Sequence, residues 1–200
     1  MTEPEWWWEP LDLDQAATLM DGFPGPWWVV AGWAIELHVG RRLREHGDVD
    51  LLVLRDDQAA IRSQLPGWDV QVAHGGRLEP WPAGVRLELP RSGLWARSDL
   101  DGPWQLQFLL AECDGDTWWY RRDPRIRLPI AEIGLRSPSG IPYLRPELNL
   151  LFKSKETRER DEADFAAVLP LLDTTARRRL ADWLPHEHPW RNRIVSRSVL

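Results

Sequence analysis

Residues 27–57 read WWVVAGWAIELHVGRRLREHGDVDLLVLRDD, and the order of residue types within them decides the fold. Trp27 to Ala31 is an apolar run with the character of a short buried strand. Gly32 stands at the turn that follows, and Trp33 to Val39 continues as a helix that Gly40 ends. A basic stretch then leads to Asp48-Val49-Asp50, with Asp48 to Leu54 forming the next strand. Residues two apart on a strand face the same side, so Asp48 and Asp50 project together while Val49 and Leu51 face a core. Two anions so close repel each other unless a cation lies between them. Mg²⁺ suits that position, because it takes one or two carboxylates and fills its remaining sites with phosphate oxygens and water. Gly32 is small enough to let a phosphate approach the N–H groups of a helix N-terminus. Arg44 and His46 precede the strand, within reach of a phosphate or of a metal ligand.

Outward from this stretch, Leu13 to Met20 reads as a helix capped by Asp12, and Phe23 to Pro26 as a turn. Asp57 is placed to cap a helix from Gln58 to Leu65, which Pro66-Gly67 stops. Strands are expected at Trp68 to Ala73, Val85 to Leu89 and Trp104 to Leu110, with a further extended segment from Thr117 to Tyr120. The last third is helical. One helix starts at Pro146, one is capped by Asp161 with Phe165, Val168, Leu169 and Leu172 as its apolar stripe, and one runs from Thr174 or Thr175 to near Leu184. The class is therefore α/β (α+β): a mixed sheet flanked by helices over residues 1–142, then a C-terminal helical region over 143–200 packed on it.

Composition narrows the function. The net charge of −6 disfavours a dedicated nucleic-acid binder. No apolar run is long enough to span a bilayer, and the acidic, Pro-flanked start MTEPEWWWEP is neither a signal nor a transit peptide. A single cysteine, Cys113, excludes an internal disulfide, and a cytoplasmic location is expected. The 14 tryptophans are core residues or platforms along a cleft. His186-Glu187-His188 has no third ligand in view and reads as a Pro-flanked tail.

Asp-x-Asp alone and a strand–Gly–helix turn alone are both common, but their combination is specific. The stretch VVAGWAIELHVGRRLREHGDVDLLV resembles the nucleotidyltransferase superfamily, whose signature is a Gly-Gly or Gly-Ser turn followed by Asp-x-Asp on the next strand. It is most similar to the aminoglycoside 2''-adenylyltransferase-like branch. The matching residues are Ala31-Gly32-Trp33-Ala34, Gly40-Arg41 and Arg44-Glu45-His46-Gly47-Asp48-Val49-Asp50. PYLRPELNLLFKSKETRERDEADF resembles the same branch's helix with a basic face and a following basic-Asp-x-x-Asp cap.

The resemblance implies transfer of AMP, or another nucleoside monophosphate, from ATP or another NTP to a hydroxyl of a small, aminoglycoside-like molecule, using two Mg²⁺. Asp48 and Asp50 would hold metal, and Gly32 with Trp33 would form the phosphate-facing turn. Arg44, Lys153 and Lys155 would meet the triphosphate, with His46 in a supporting role. Two departures stand out. Ala31 occupies the family's first Gly, which matters only if the backbone there has positive φ. Gln107, in WQLQFLL, occupies the position of a third carboxylate, and a neutral amide cannot take a proton from an acceptor hydroxyl.

Three readings follow from Gln107. Glu88 or Glu112 supplies the missing charge; or two carboxylates suffice with slower deprotonation; or the protein binds nucleotide or a protein partner in a regulatory role without turnover. A metal-dependent glycosyltransferase is a more distant alternative, since the chain is short for that fold. Glu79, Glu88, Glu112, Asp114 and Asp116 are candidates to line a cleft for a polycationic acceptor, while the tryptophans equally permit a flat one.

Overall fold

A computed structural model describes residues 6–196; the acidic first residues, 1–5, lie outside the described residues. At the centre, β1 (Trp27–Val29) pairs antiparallel with β2 (Asp50–Leu54), Val29 opposite Leu51. β2 is an unbroken apolar run after Asp50 because both of its faces are covered. Leu52 and Leu54 enter one hydrophobic cluster, and Leu51 and Val53 enter another on the opposite face. β6 (Leu106–Asp114) lies parallel to β2 and places Gln107 in register with Asp50.

Beyond β6 the sheet continues antiparallel through β5 (Gly93–Arg97), β3 (Asp69–His74) and β4 (Arg77–Pro80). Beyond β1 come β10 (Pro142–Leu144), parallel to it, and β9 (Gly134–Arg136) at the edge. The last residues of β6 leave this sheet to pair with β7 (Thr117–Tyr120), which pairs in turn with β8 (Asp123–Pro129). The result is the mixed sheet flanked by helices that the sequence predicts.

α1 (Leu13–Leu19) begins with a reciprocal cap: the Gln15 N–H donates to Asp12 at 2.7 Å, and the Asp12 N–H donates to the Gln15 side chain at 2.9 Å. α2 (Ala31–Val39) ends at Gly40 with φ 76°, the left-handed stop expected there. α3 (Gln58–Gln64) covers one sheet face together with α1, through Ile61 and Ala16. α4 (Pro146–Lys153), α5 (Glu159–Val168), α6 (Thr174–Trp183) and α7 (Pro189–Ser196) cover the other face, packing Leu148, Phe165, Leu180 and Trp190 against Trp28, Leu52 and Leu54.

The structure differs from the sequence expectation at several points. Val85 to Leu89 is not a strand; the Gly- and Pro-rich stretch instead yields β4 and β5 on either side of it. Its backbone is satisfied by side chains: Leu87 N–H donates to Gln58 at 2.6 Å, and the Leu87 carbonyl accepts from Arg55 at 3.0 Å. A segment whose polar groups are taken this way has no need of a ladder. Asp57 opens α3 without a side-chain cap, because a 3₁₀ turn, Arg55–Asp57, precedes it. Asp161 sits inside the first turn of α5, with Arg158 as the cap residue. α7 was not expected; the fully buried Trp190 anchors it, stacked on Phe165 at 4.5 Å and 5° between planes. No helix among the described residues is long and apolar enough to cross a membrane.

Candidate active site

Residues in register on neighbouring strands point to the same face of a sheet. Asp50 on β2 is in register with Gln107 on β6, and Gln107 with Trp95 on β5. Leu52, Leu54, Leu109 and Ala111 share that face, toward α4 and α5, while Leu51, Phe108 and Leu94 face the other core. Asp50, Gln107 and Trp95 therefore form a row along the floor of a cavity of about 420 Å³, with Asp48 beside it. Gly32 and Trp33 form one wall, and Trp8, Arg158 and Arg160 contribute to the rest.

The loop that delivers Asp48 is built on Glu36. This carboxylate lies on α2 and is 7% exposed; it accepts the N–H of Leu43 at 2.7 Å and of Arg44 at 3.0 Å, and lies 2.9 Å from His46 Nε2. Burial alone would raise its pKa, but these donors outweigh burial and hold it below the ordinary value. Arg44 lies 2.9 Å from His46 Nδ1; a guanidinium can only donate, so Nδ1 accepts and the ring proton is on Nε2, toward Glu36. Trp33 stacks on His46 at 4.3 Å and donates its indole N–H to the Asp48 carbonyl at 3.2 Å. A Cβ on Gly32 would strike the Arg44 guanidinium, and would lie 2.5 Å from His46 Cε1. Gly32 is thus required for close approach of this loop to the helix. His46 is packed within this loop, and Arg44 is itself largely engaged there.

Ala31 has φ 57°, a left-handed conformation that strains any residue with a Cβ. Its N–H donates to Asn149 Oδ1 at 2.9 Å, and the Asn149 amide donates to the Leu144 carbonyl at 2.8 Å. Asn149 is 2% exposed on α4, and it ties α2, β10 and α4 together at the turn. Sequence reasoning missed both Asn149 and Glu36. Each is a polar residue in an apolar stretch, PELNLLFK and GWAIELHV, and that is the signal each carried.

Lys153 ends α4 and lies 2.8 Å from Asp161 and 2.9 Å from Asp164, both buried. Asp161 also accepts from the Arg158 backbone at 3.1 Å and its side chain at 2.8 Å. Burial pushes the Asp161 carboxyl up, but these donors pull it well below the carboxylate range. Lys153 and Arg158 also line an adjoining cavity of about 450 Å³. Its other cations are Arg121, Arg122 and Lys155, and Trp118, Trp119 and Phe152 supply aromatic wall. Among the described residues Arg121 enters no ion pair. Lys155 pairs with Glu156 at 3.1 Å and lies in this second cavity, not beside the Asp pair.

The half-buried Asp50 is pushed up to about 7, by burial first and then by the charge of Asp48, against the pull of Lys153 and Arg160. Two crowded carboxylates with a neutral amide beside them are a hard-donor set suited to one Mg²⁺ whose other ligands are phosphate and water. Among the described residues, no group of three or more His, Cys, Asp or Glu is placed to hold a metal.

Neither Glu88 nor Glu112 lines the cavity around the Asp pair. Glu112 has the strand parity of Leu106, Phe108 and Leu110, and its side chain is taken by buried Arg55 through bonds of 2.5 to 2.9 Å. Glu88 is an exposed partner of Arg86 at 2.8 Å. Glu79 pairs with Arg91 at 3.0 Å and Asp114 with Arg127 at 3.9 Å; neither they nor Asp116 line either cavity. Of the five carboxylates expected to line a cleft, Glu112 borders the adjoining cavity, where Arg55 pairs with it, and the other four line neither cavity because they belong to other strand faces and turns. His188 is a packing residue, accepting the Trp190 N–H at 3.2 Å, and Cys113 is pushed up to about 11, first by burial and then by Asp56.

The chain is similar to known proteins in sequence over part of its length and in fold over most of it. Residues 12–76 match the family model of the aminoglycoside-2''-adenylyltransferases. The fold is similar to the lincomycin-bound lincosamide antibiotic adenylyltransferase LnuA, with TM-score 0.56 and 17% identity over 80% of this chain and 96% of that one. It is similar to ANT(2'')-Ia in complex with adenylyl-2''-tobramycin, with TM-score 0.54 and 13% identity over 86% and 94% of the two chains. The solution structure of ANT(2'')-Ia gives TM-score 0.54 and 16% identity over 93% and 92%. No curated protein matches the sequence significantly. The resemblance to the aminoglycoside 2''-adenylyltransferase-like branch and the nucleotidyltransferase-type fold both stand.

Proposed function

We propose that this protein transfers a nucleoside monophosphate from ATP or another NTP to a hydroxyl of a small molecule, using Mg²⁺ held by Asp48 and Asp50. The observation that carries this reading is the convergence of Asp48, Asp50, Gly32 and Lys153 on one cavity floored by two parallel strands. The relatives' names add support: one is an antibiotic adenylyltransferase, and another holds an adenylylated aminoglycoside.

The donor is a polyanion, and the adjoining cavity sets Arg121, Arg122, Lys153, Lys155 and Arg158 against two carboxylates, Glu112 and Glu156, that are already paired with Arg55 and Lys155. The first-turn N–H groups of α2 have no partner within the helix and favour phosphate. In the reaction the acceptor oxygen attacks the α-phosphorus, the bond from that phosphorus to the β-bridging oxygen breaks, and pyrophosphate leaves. Bound Mg²⁺ would neutralise charge on the attacking and leaving oxygens. Lys153, Arg158 and Arg160 add fixed positive charge around the transferred group, and positioning with charge neutralisation is the main source of rate in such transfers.

Pyrophosphate release from Mg²⁺–ATP with a panel of hydroxyl acceptors tests the assignment, alongside thermal melts with and without nucleotide. Asp48→Asn and Asp50→Asn are expected to keep the fold, since each relieves repulsion in the metal-free protein, and to lose the Mg²⁺-dependent nucleotide shift. Mutants that retain the full shift would refute the metal assignment. Gln107 favours a second reading, a catalytically weakened protein that binds nucleotide in a regulatory role. Nucleotide binding without pyrophosphate release for any acceptor would support it.

A further inference from the structure

The row Asp50–Gln107–Trp95 also bears on the acceptor. We infer that the acceptor hydroxyl is phenolic: it is borne by a flat aromatic ring that rests on Trp95 and directs its oxygen past Gln107 to the Asp48–Asp50 pair. This rests on the nucleotidyl-transfer reading above and names its substrate class.

Three independent observations point the same way. The first is the missing base. Gln107 is the nearest side chain in register with Asp50, and it is an amide. Among the described residues no third carboxylate joins the pair, and Glu112 is consumed by Arg55. A positioned general base is worth about 10²- to 10⁴-fold. An aliphatic hydroxyl, roughly as weakly acidic as water at about 15.7, needs that help. A phenol, with a pKa of about 10, needs it far less. The Gln107 amide can donate to the oxygen once the proton has gone to solvent.

The second is the floor. Adjacent strands lie about 4.8 Å apart, so Trp95 stands roughly two strand spacings from Asp50. An aromatic ring over Trp95 therefore carries a hydroxyl at its edge to the level of Gln107. Trp95 is half-exposed and held in place by edge contacts from Trp6 at 5.4 Å, Trp8 at 4.8 Å and Trp104 at 5.7 Å. The part of its ring that these contacts leave exposed lines the cavity, which favours a flat ligand. Trp33 offers no second free platform, since His46 is stacked on it.

The third is charge. Apart from the Asp pair, Glu45 is the one carboxylate among the described residues that line this cavity, and it is exposed and paired with Arg42 at 2.6 Å. Arg44, Lys153, Arg158 and Arg160 line the same space. These cations, partly paired with Asp161 and Asp164, stabilise a phenolate beside the Asp pair, and beyond Glu45 the described lining adds no carboxylate of the kind that draws in a polycation. The step balances without a further reactant: the phenolic proton leaves to solvent, the oxygen–phosphorus bond forms, and pyrophosphate departs with the electron pair of the broken bond.

The test uses the full chain with Mg²⁺–ATP and four acceptors: two planar two-ring phenols matched in shape but differing in acidity, the ring-saturated alcohol of the same skeleton, and an aminoglycoside. Product is read as the acceptor's gain of one nucleotidyl group. Both phenols should be modified at least about tenfold faster than the saturated alcohol, the more acidic one faster below its pKa, and the aminoglycoside not at all. Trp95→Ala should raise KM for the phenols about tenfold and leave KM for ATP unchanged. Gln107→Glu should raise turnover of the saturated alcohol more than that of the phenols. Faster modification of the alcohol or the aminoglycoside would overturn the phenolic assignment while leaving nucleotidyl transfer standing. Bound nucleotide with no acceptor modified would also overturn it, in favour of the binding protein. Failure to bind Mg²⁺–ATP at all would instead remove the nucleotidyl-transfer reading on which it rests.

Discussion

Ala31 concentrates the residue-scale physics of the site. Its φ of 57° is one that glycine adopts freely and a residue with a Cβ adopts at a cost of about 1–2 kcal/mol. The Asn149 side chain and the helix it opens hold it there. Ala31→Gly removes the strain, loses one methyl packed beside the core, worth at most about 0.8 kcal/mol, and adds some backbone entropy to the unfolded chain. Strain relief outweighs the other two by a narrow margin, so the variant should be more stable by about 0.5 kcal/mol, a rise of roughly 1–2 °C in melting temperature. A fall in the melting temperature would mean that the methyl contacts matter more than the backbone. The Asp48–Asp50 phase, Gly32 and the neutrality of Gln107 were all legible in sequence, because each depends on local spacing or on strand alternation. Glu36 and Asn149 were not. Their roles arise from loops and helices meeting across 7 and 118 residues of chain respectively, and no local pattern encodes such a meeting.

At the scale of elements, the α4–α5 junction is where charge and fold are most tightly linked. Lys153, 9% exposed at its side chain, is held by two buried carboxylates, and Asp161 serves at once as its partner and as the reciprocal cap of α5. The sequence pattern basic-Asp-x-x-Asp announced a cap but not a clamp on the preceding helix, since the lysine lies eight residues earlier. Asp161→Asn keeps the shape and removes the charge, leaving Lys153 with Asp164 alone; a loss of about 3 kcal/mol at neutral pH is expected from breaking a buried pair. The sign of the pH dependence follows from the lowered carboxyl. A group whose folded pKa lies below its ordinary value of 3.8 contributes its full stability above that value, and loses it as pH falls toward the folded pKa. The difference in stability between wild type and Asp161→Asn should therefore be constant from neutral pH down to about pH 5 and shrink below about pH 4, as denaturant titrations across that range would show. A difference that stays constant in acid would mean that the aspartate acts through shape alone. The same contrast of local and distant causes explains β4 and β5. Val85 to Leu89 has the composition of a strand, but Arg55 and Gln58 occupy the Leu87 backbone, and the pairing partners of β3 lie on either side.

At the scale of the whole molecule, a chain of net charge −6 gathers positive charge on one side of its sheet, where α4 and α5 face the row of Asp50, Gln107 and Trp95. The fold class was legible because strand and helix periods alternate cleanly over the first 75 residues, the part that the family model also covers. The tryptophan-rich start was legible only as packing. In the structure it runs alongside the entry to β6: Trp104 N–H donates to the Trp7 carbonyl at 2.9 Å, Glu9 N–H to the Trp104 carbonyl at 3.0 Å, and Leu11 N–H to the Gln105 carbonyl at 3.1 Å. This strap sets Trp8 against Trp95 and brings it to the cavity rim, about two strands from the Asp pair, while Lys153 and Arg158 approach from the helices on the opposite wall. In the proposed reading, donor and acceptor ends of the site are thus supported by different parts of the chain. Removal of residues 1–9 should lower the melting temperature by several degrees, since two backbone hydrogen bonds, those of Trp7 and Glu9 with Trp104, and the packing of Trp6 and Trp8 on Trp95 are lost, together worth about 2 kcal/mol. Because the strap reaches only the acceptor end, the truncated protein should bind Mg²⁺–nucleotide as the full chain does, by calorimetry, while its acceptor KM rises by about tenfold. Equal weakening of nucleotide and acceptor would show that the strap supports the whole cavity rather than one end of it.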